Sequence, residues 1–188
     1  MSVFGLKSVL FTVLFLPFLW MVNRAMSGLL IDPVEEITHW SGEWALRFLL
    51  LTLAVTPVSR LTGYSLIKYR RMIGLFSFFY ACLHMGIWLI DREFSLHLMI
   101  DDVIERTYIT LGFLAFLAML VLALTSNRMM MRRLAKNWQK LHRLIYLIAI
   151  LAVIHFYWQA KSAADAEPLI YGLLTLVLLA YRFKIRRS

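Results

Sequence analysis

Apolar residues come in long blocks separated by short polar stretches: SVLFTVLFLPFLW, ALRFLLLTLAVTPV, MIGLFSFFYACLHMGIWLI, YITLGFLAFLAMLVLAL, LIYLIAILAVIHFYW and LIYGLLTLVLLAY. Each block approaches the roughly 20 residues an α-helix needs to cross a hydrocarbon core of about 30 Å. The pattern therefore predicts six spans, at about 7–23, 43–60, 69–90, 107–125, 139–159 and 168–183. The predicted fold is all-α, an integral membrane bundle of six helices forming a single domain over 1–188, with only short loops between spans. The first block follows Lys7 as a signal peptide would. It reaches Trp20 without a small-x-small cleavage site, so it reads as a retained helix.

Composition agrees with the pattern, since 61% of the residues are hydrophobic and the mean hydropathy is +0.73. The net charge of +9 would suit nucleic acid, but the cations sit between apolar runs and form no soluble basic face, so the lipid bilayer is their partner. The single cysteine, Cys82, excludes an internal disulfide, a CxxCH haem attachment and a cysteine-ligated iron–sulfur cluster within the chain. Six alternating helices place most of the twenty cations on one side and all eleven carboxylates on the other. Lys and Arg mark the cytoplasmic side, so both termini are expected there, with loops 24–42, 91–106 and 160–167 facing outward.

Within this topology the five histidines divide. His39 and His97 fall in the outer loops and read as solvated side chains. His84 and His155 lie inside the third and fifth spans, where an ionisable side chain is costly and a candidate for function. Both spans run outward, so sequence offsets become depths. His84 lies about 21 Å beyond Arg70 and His155 about 20 Å beyond His142, which puts the two at one level. Two neutral imidazoles at matched depth on neighbouring helices suit the axial positions of a flat haem. Zinc would need further ligands at that depth, which are missing.

At the cytoplasmic level, His142 stands opposite Arg70 or Arg71. A guanidinium has no lone pair for iron, although it suits a propionate or phosphate. Either His142 ligates a second haem with a weak or absent sixth ligand, or this level holds another anionic cofactor, or His142 is an interfacial residue at the membrane edge. The thirteen residues between His142 and His155 leave them roughly 140° apart on an ideal helix, so a shared pocket requires tilt, a bulge, or cofactors on different sides.

The stretches DPVEEITHWSGEWALRFLLLTLAVTPVSRL, RRMIGLFSFFYACLH, YITLGFLAFLAMLVLALTSN, NWQKLHRLIYLIAILAVIHFYW and PLIYG, taken in order, resemble the MsrQ (YedZ) family within the ferric-reductase-like transmembrane superfamily. The resemblance implies b-type haem, one or two, ligated through His84 and His155. It makes His142 the third family histidine and puts Arg70 or Arg71 where the superfamily has a fourth. It also implies a multi-pass bacterial inner-membrane protein carrying electrons from quinol or a cytosolic flavin reductase to a periplasmic molybdenum-containing protein-methionine-sulfoxide reductase, with FMN as an associated cofactor.

The residues themselves offer no GxGxxG, no Walker loop and no room for a dehydrogenase domain, so oxidation of a nicotinamide is excluded for this chain alone. That favours an electron-transfer subunit with partners at both faces, the acidic DREFSLHLMIDDVIER loop being the candidate outer docking surface. A stand-alone haem reductase of iron or oxygen, and a non-redox transporter or assembly protein, are the alternatives.

Overall fold

A computed structural model of the chain describes the backbone of residues 3–160 and 166–187, and the side chains of 5–160 and 166–182. The described residues are helical with turns and contain no strand. The helices are α1 (Val3–Met26), α2 (Pro33–Thr62), α3 (Arg70–Asp91), α4 (Leu96–Glu105), α5 (Thr107–Leu124), α6 (Arg128–Leu134), α7 (Lys136–Leu141), α8 (Leu144–Gln159) and α9 (Ala166–Arg187), with a 3₁₀ turn at Ile67–Tyr69. Among the described residues, five segments are long and apolar enough to cross a membrane: Gly5–Met26, Pro33–Thr62, Ile67–Asp91, Thr107–Leu124 and Lys136–Gln159. The sixth expected span falls on α9. Most of the expected outer loop 160–167 lies outside the described residues.

Three departures from the expected pattern matter for the site. Helix α2 begins at Pro33, well before position 43. Asp32 caps it by accepting a hydrogen bond from the Glu35 amide (3.0 Å). Proline suits the first turn, and Glu35 and Glu36 oppose the positive end of the helix dipole. Hydropathy misses these polar turns, so Thr38, His39, Gly42 and Glu43 are helical.

The second departure is that the fifth span is not one continuous helix. Residues His142 and Arg143 form a turn between α7 and α8, with bonds from Arg143 to the Lys140 carbonyl (3.2 Å) and from Tyr146 to the Arg143 carbonyl (3.0 Å). These i→i−3 bonds tighten the chain locally. The 140° offset of an ideal helix therefore does not apply across it. The third departure is α4, a helix inside the expected loop 91–106. It is tied down by the buried Asp102, which pairs with Arg92 Nε (2.6 Å) and Arg106 Nε (3.3 Å) and accepts from Trp88 Nε1 (3.2 Å).

Helix α2 is the centre of the bundle. One core cluster joins it to α1 and α3 through Leu14, Phe48, Val55, Ile73, Phe76 and Tyr80. A second joins it to α5 and α8 through Leu46, Leu49, Leu53, Ala115, Ile148 and Ala149. Against α1, the Tyr80 hydroxyl enters the helix ladder beside Pro17. It accepts from the Phe18 amide (2.9 Å) and donates to the Leu14 carbonyl (3.1 Å), so both groups of a backbone pair are satisfied through one side chain.

Candidate functional site

His84 on α3 and His155 on α8 face one another across the middle of the bundle, with ring centres 6.0 Å apart and ring planes at 82°. His84 Nδ1 lies 2.9 Å from the Thr38 carbonyl and His155 Nδ1 lies 2.6 Å from the Tyr108 carbonyl. A carbonyl can only accept, so each Nδ1 carries the proton and each Nε2 keeps its lone pair. No hydrogen-bond partner is found for either Nε2 among the described residues. Metal-ligating histidines are commonly oriented in this way, by a backbone carbonyl on the second nitrogen.

The two rings are held by the same local device. Thr38 and Gly42 are four apart on α2, and Tyr108 and Gly112 are four apart on α5, so in each pair the carbonyl and the glycine share a helix face. The imidazole lies on the glycine with Nδ1 reaching back to the carbonyl. A methyl group at Gly42 would meet His84 Nδ1 and Cε1 at 3.0 Å, and one at Gly112 would meet His155 Nδ1 and Cε1 at 2.8 Å. Gly112 is therefore required for the close approach of ring to helix, and Gly42 gives the His84 ring room that a methyl group would crowd. Sequence reasoning missed them, although a glycine inside an apolar helix is a visible signal of such approach.

Both imidazoles border a cavity of about 730 Å³. Its inner wall is apolar, with Leu46, Leu49, Phe113, Phe116, Met119 and Ala152, and its outer end carries charge. There Arg92 is engaged by Asp102 and Asp91. Arg106 lies outside the spans and is nearly half exposed; a hydrogen bond with the Tyr108 side chain, then the Asp102 carboxylate, hold it above the usual guanidinium range. His39, expected to be solvated, borders the same cavity, with Nε2 3.0 Å from Gln159 Nε2 and 3.8 Å from Glu35. Glu43 is also in the wall and pairs with Arg47 (2.7 Å), which reaches Tyr171 (2.7 Å) and Glu167 (3.3 Å) on α9. His97 sits apart on α4, largely exposed, 2.7 Å from Asp101.

His142 is not brought to this cavity. It stacks on Trp138 at 3.9 Å, with Nδ1 3.2 Å from the Trp138 carbonyl and Nε2 3.4 Å from Ser126 Oγ. No second imidazole faces it among the described residues. Arg70 is half-buried within electrostatic reach of His142, Arg182 and Tyr146. Arg71 is exposed and lines a different surface, between α1 and α3. No cluster of three or more His, Cys, Asp or Glu side chains able to hold a metal ion occurs among the described residues. Chemically, the site offers two facing imidazoles, each with an unprotonated Nε2, beside a cavity whose inner wall is apolar.

Residues 41–153 match the family described as ferric reductase like transmembrane component. The protein-methionine-sulfoxide reductase heme-binding subunit MsrQ of Bordetella pertussis is 46% identical over 181 residues, covering 94% of this chain and 88% of its own length. The MsrQ subunit of Herminiimonas arsenicoxydans is 44% identical, covering 94% of this chain and 84% of its own. That of Xanthomonas campestris pv. campestris is 48% identical, covering 84% and 72%. No solved structure matches the chain.

Proposed function

The chain belongs to the MsrQ family within the ferric-reductase-like transmembrane components, and on that premise we propose that it holds a b-type haem between His84 and His155 and conducts electrons outward across the bacterial inner membrane. The acceptor in this reading is a periplasmic molybdenum-containing protein-methionine-sulfoxide reductase. The donor is membrane quinol or a cytosolic flavin reductase, with FMN as a carrier at the cation-rich face.

One observation carries the reading: two imidazoles, each proton-bearing at Nδ1, face one another at 6.0 Å. Iron–imidazole bonds of about 2 Å, the usual length for first-row metals on imidazole, would put two axial rings roughly 6 Å apart at their centres. The apolar cavity wall suits the faces of a porphyrin, and Arg106 at the outer end suits a propionate. When bound, haem supplies reversible one-electron chemistry that needs no substrate or proton from the protein.

The protein's own groups do the rest. Thr38 and Tyr108 fix the tautomer and aim both lone pairs inward. Gly42 and Gly112 set the ring positions, and the apolar residues around them keep out water. At the cytoplasmic level, we assign His142 and Arg70 to a second cofactor, the imidazole as a possible single ligand and the guanidinium as a partner for anionic groups. The same proposal places six spans with both termini in the cytoplasm.

Replacing His84 or His155 with Ala is expected to abolish the sharp low-spin bands of a bis-imidazole haem in the purified protein. Replacing His142 should leave those bands in place. Retention of the full low-spin spectrum in either of the first two variants would falsify the assignment.

A further inference from the structure

On α1, Lys7, Phe11 and Phe15 recur every four residues and share one face; on α3, Arg71, Leu75 and Phe79 do the same, with Met72 and Phe76 beside them and Lys68 in the preceding turn. These side chains line a groove of about 470 Å³ on the outside of the bundle, separate from the histidine cavity. The two helices run in the same direction along it. Phe11 meets Phe76 with ring centres 5.1 Å apart, Phe15 meets Phe79 at 6.1 Å, and Phe18 meets Phe79 at 5.5 Å, so positions ascend together. All three cations consequently gather at one end of the groove and aromatic rings wall the other.

This charge is uncompensated. No Asp or Glu lines the groove, and among the described residues none of Lys7, Lys68 and Arg71 forms an ion pair. Lys68 only lies over the Tyr69 ring, at 5.1 Å. Three cations converging at the edge of an apolar cleft repel one another unless an anion joins them. A neutral quinone head would leave them unpaired, and a soluble anion would leave the aromatic walls unused. The complementary ligand has an anionic head and an apolar tail. From Lys7 to Phe15 the groove runs about 12 Å along the helix, within the ~15 Å depth of one leaflet's hydrocarbon.

We propose that this groove binds an anionic phospholipid of the cation-rich leaflet, its phosphate held by Lys7, Lys68 and Arg71 and an acyl chain laid along Phe11, Phe15 and Phe79. The lipid would brace α1 against α3 at the end where Tyr80 does not reach. Arg71 then serves the lipid and not the interior cofactor level, which Arg70 faces. This inference stands apart from the haem assignment and is read without it.

The test is native mass spectrometry of the full chain released from detergent in the presence of phosphatidylglycerol or phosphatidylcholine. One phosphatidylglycerol is expected to stay bound in preference to phosphatidylcholine. The triple variant K7Q/K68Q/R71Q should bind it at least tenfold more weakly. Leu75→Trp keeps every charge and fills a lipid-facing groove, and it should weaken binding similarly. The charge-preserving variant K7R/K68R/R71K should bind like the wild type. Equal retention of both lipids, unchanged binding in the triple variant or in Leu75→Trp, or displacement of the lipid by FMN or inorganic phosphate would each overturn the proposal. An unchanged far-ultraviolet circular dichroism spectrum and thermal midpoint in every variant report that the fold is intact.

Discussion

A methyl group on Gly112 would lie 2.8 Å from two atoms of the His155 ring, closer than real Cβ contacts come, whereas the same group on Gly42 would lie 3.0 Å from the His84 ring. The imidazole must move in the first case and is merely crowded in the second. Gly112→Ala is therefore expected to lower haem occupancy of the purified protein by more than half, and Gly42→Ala by less, measured as haem per protein. Alanine is the better helix former by about 1 kcal/mol, so a fall in occupancy without loss of folded protein assigns the effect to the ring and not to the helix. The histidines were legible in the sequence because an ionisable group in an apolar span is conspicuous. Their shared level was legible because two spans of like direction turn sequence offset into depth. The carbonyls of Thr38 and Tyr108 were not, since backbone acceptors leave no trace in residue type. His39 was read as a loop residue because the charged start of α2 hid the helix that carries it, about one-third exposed, to the cavity wall.

Helix α1 contains Pro17 and depends on α3 for a missing rung of its ladder. Tyr80→Phe removes the hydroxyl that serves both the Phe18 amide and the Leu14 carbonyl, in a place where water cannot replace it. The expected cost is about 1–3 kcal/mol, read as a lower thermal midpoint of the detergent-solubilised protein. A second element-level prediction concerns α4. Asp102 is buried between Arg92, Arg106 and Trp88, so Asp102→Ala takes a carboxylate from two cations and an acceptor from the indole. Because Arg92 keeps Asp91 and Arg106 is nearly half exposed and can turn to solvent, the loss should be about 1–3 kcal/mol and not the larger value of a sealed pair. Faster amide exchange in Leu96–Glu105, with α5 unaffected, checks it. Long apolar runs announced the spans, and their ends were the least readable part. The extension of α2 to Pro33 depends on a cap and a dipole, and the break at His142 on local backbone bonding, neither of which a hydropathy average registers.

For the whole molecule, the separation of carboxylates from most of the cations is what supports the proposed orientation. With Cys82 replaced by Ser, a cysteine at Ser27 should react with an impermeant maleimide added outside spheroplasts, and one at Ser65 only after lysis; the reverse pattern would refute the proposed orientation. The two facing histidines do not belong to one compact half. His84 is gripped by α2 against α3, and His155 by α5 against α8. The second core cluster, with Leu46, Leu49 and Leu53 of α2 against Ala115, Ile148 and Ala149, already joins the two pairs, so the bundle can close before the two rings have anything between them. In the proposed reading haem would be the last stitch between two rings already aimed, and cells starved of porphyrin should accumulate an inserted, folded form of this protein that takes up the pigment when it is supplied.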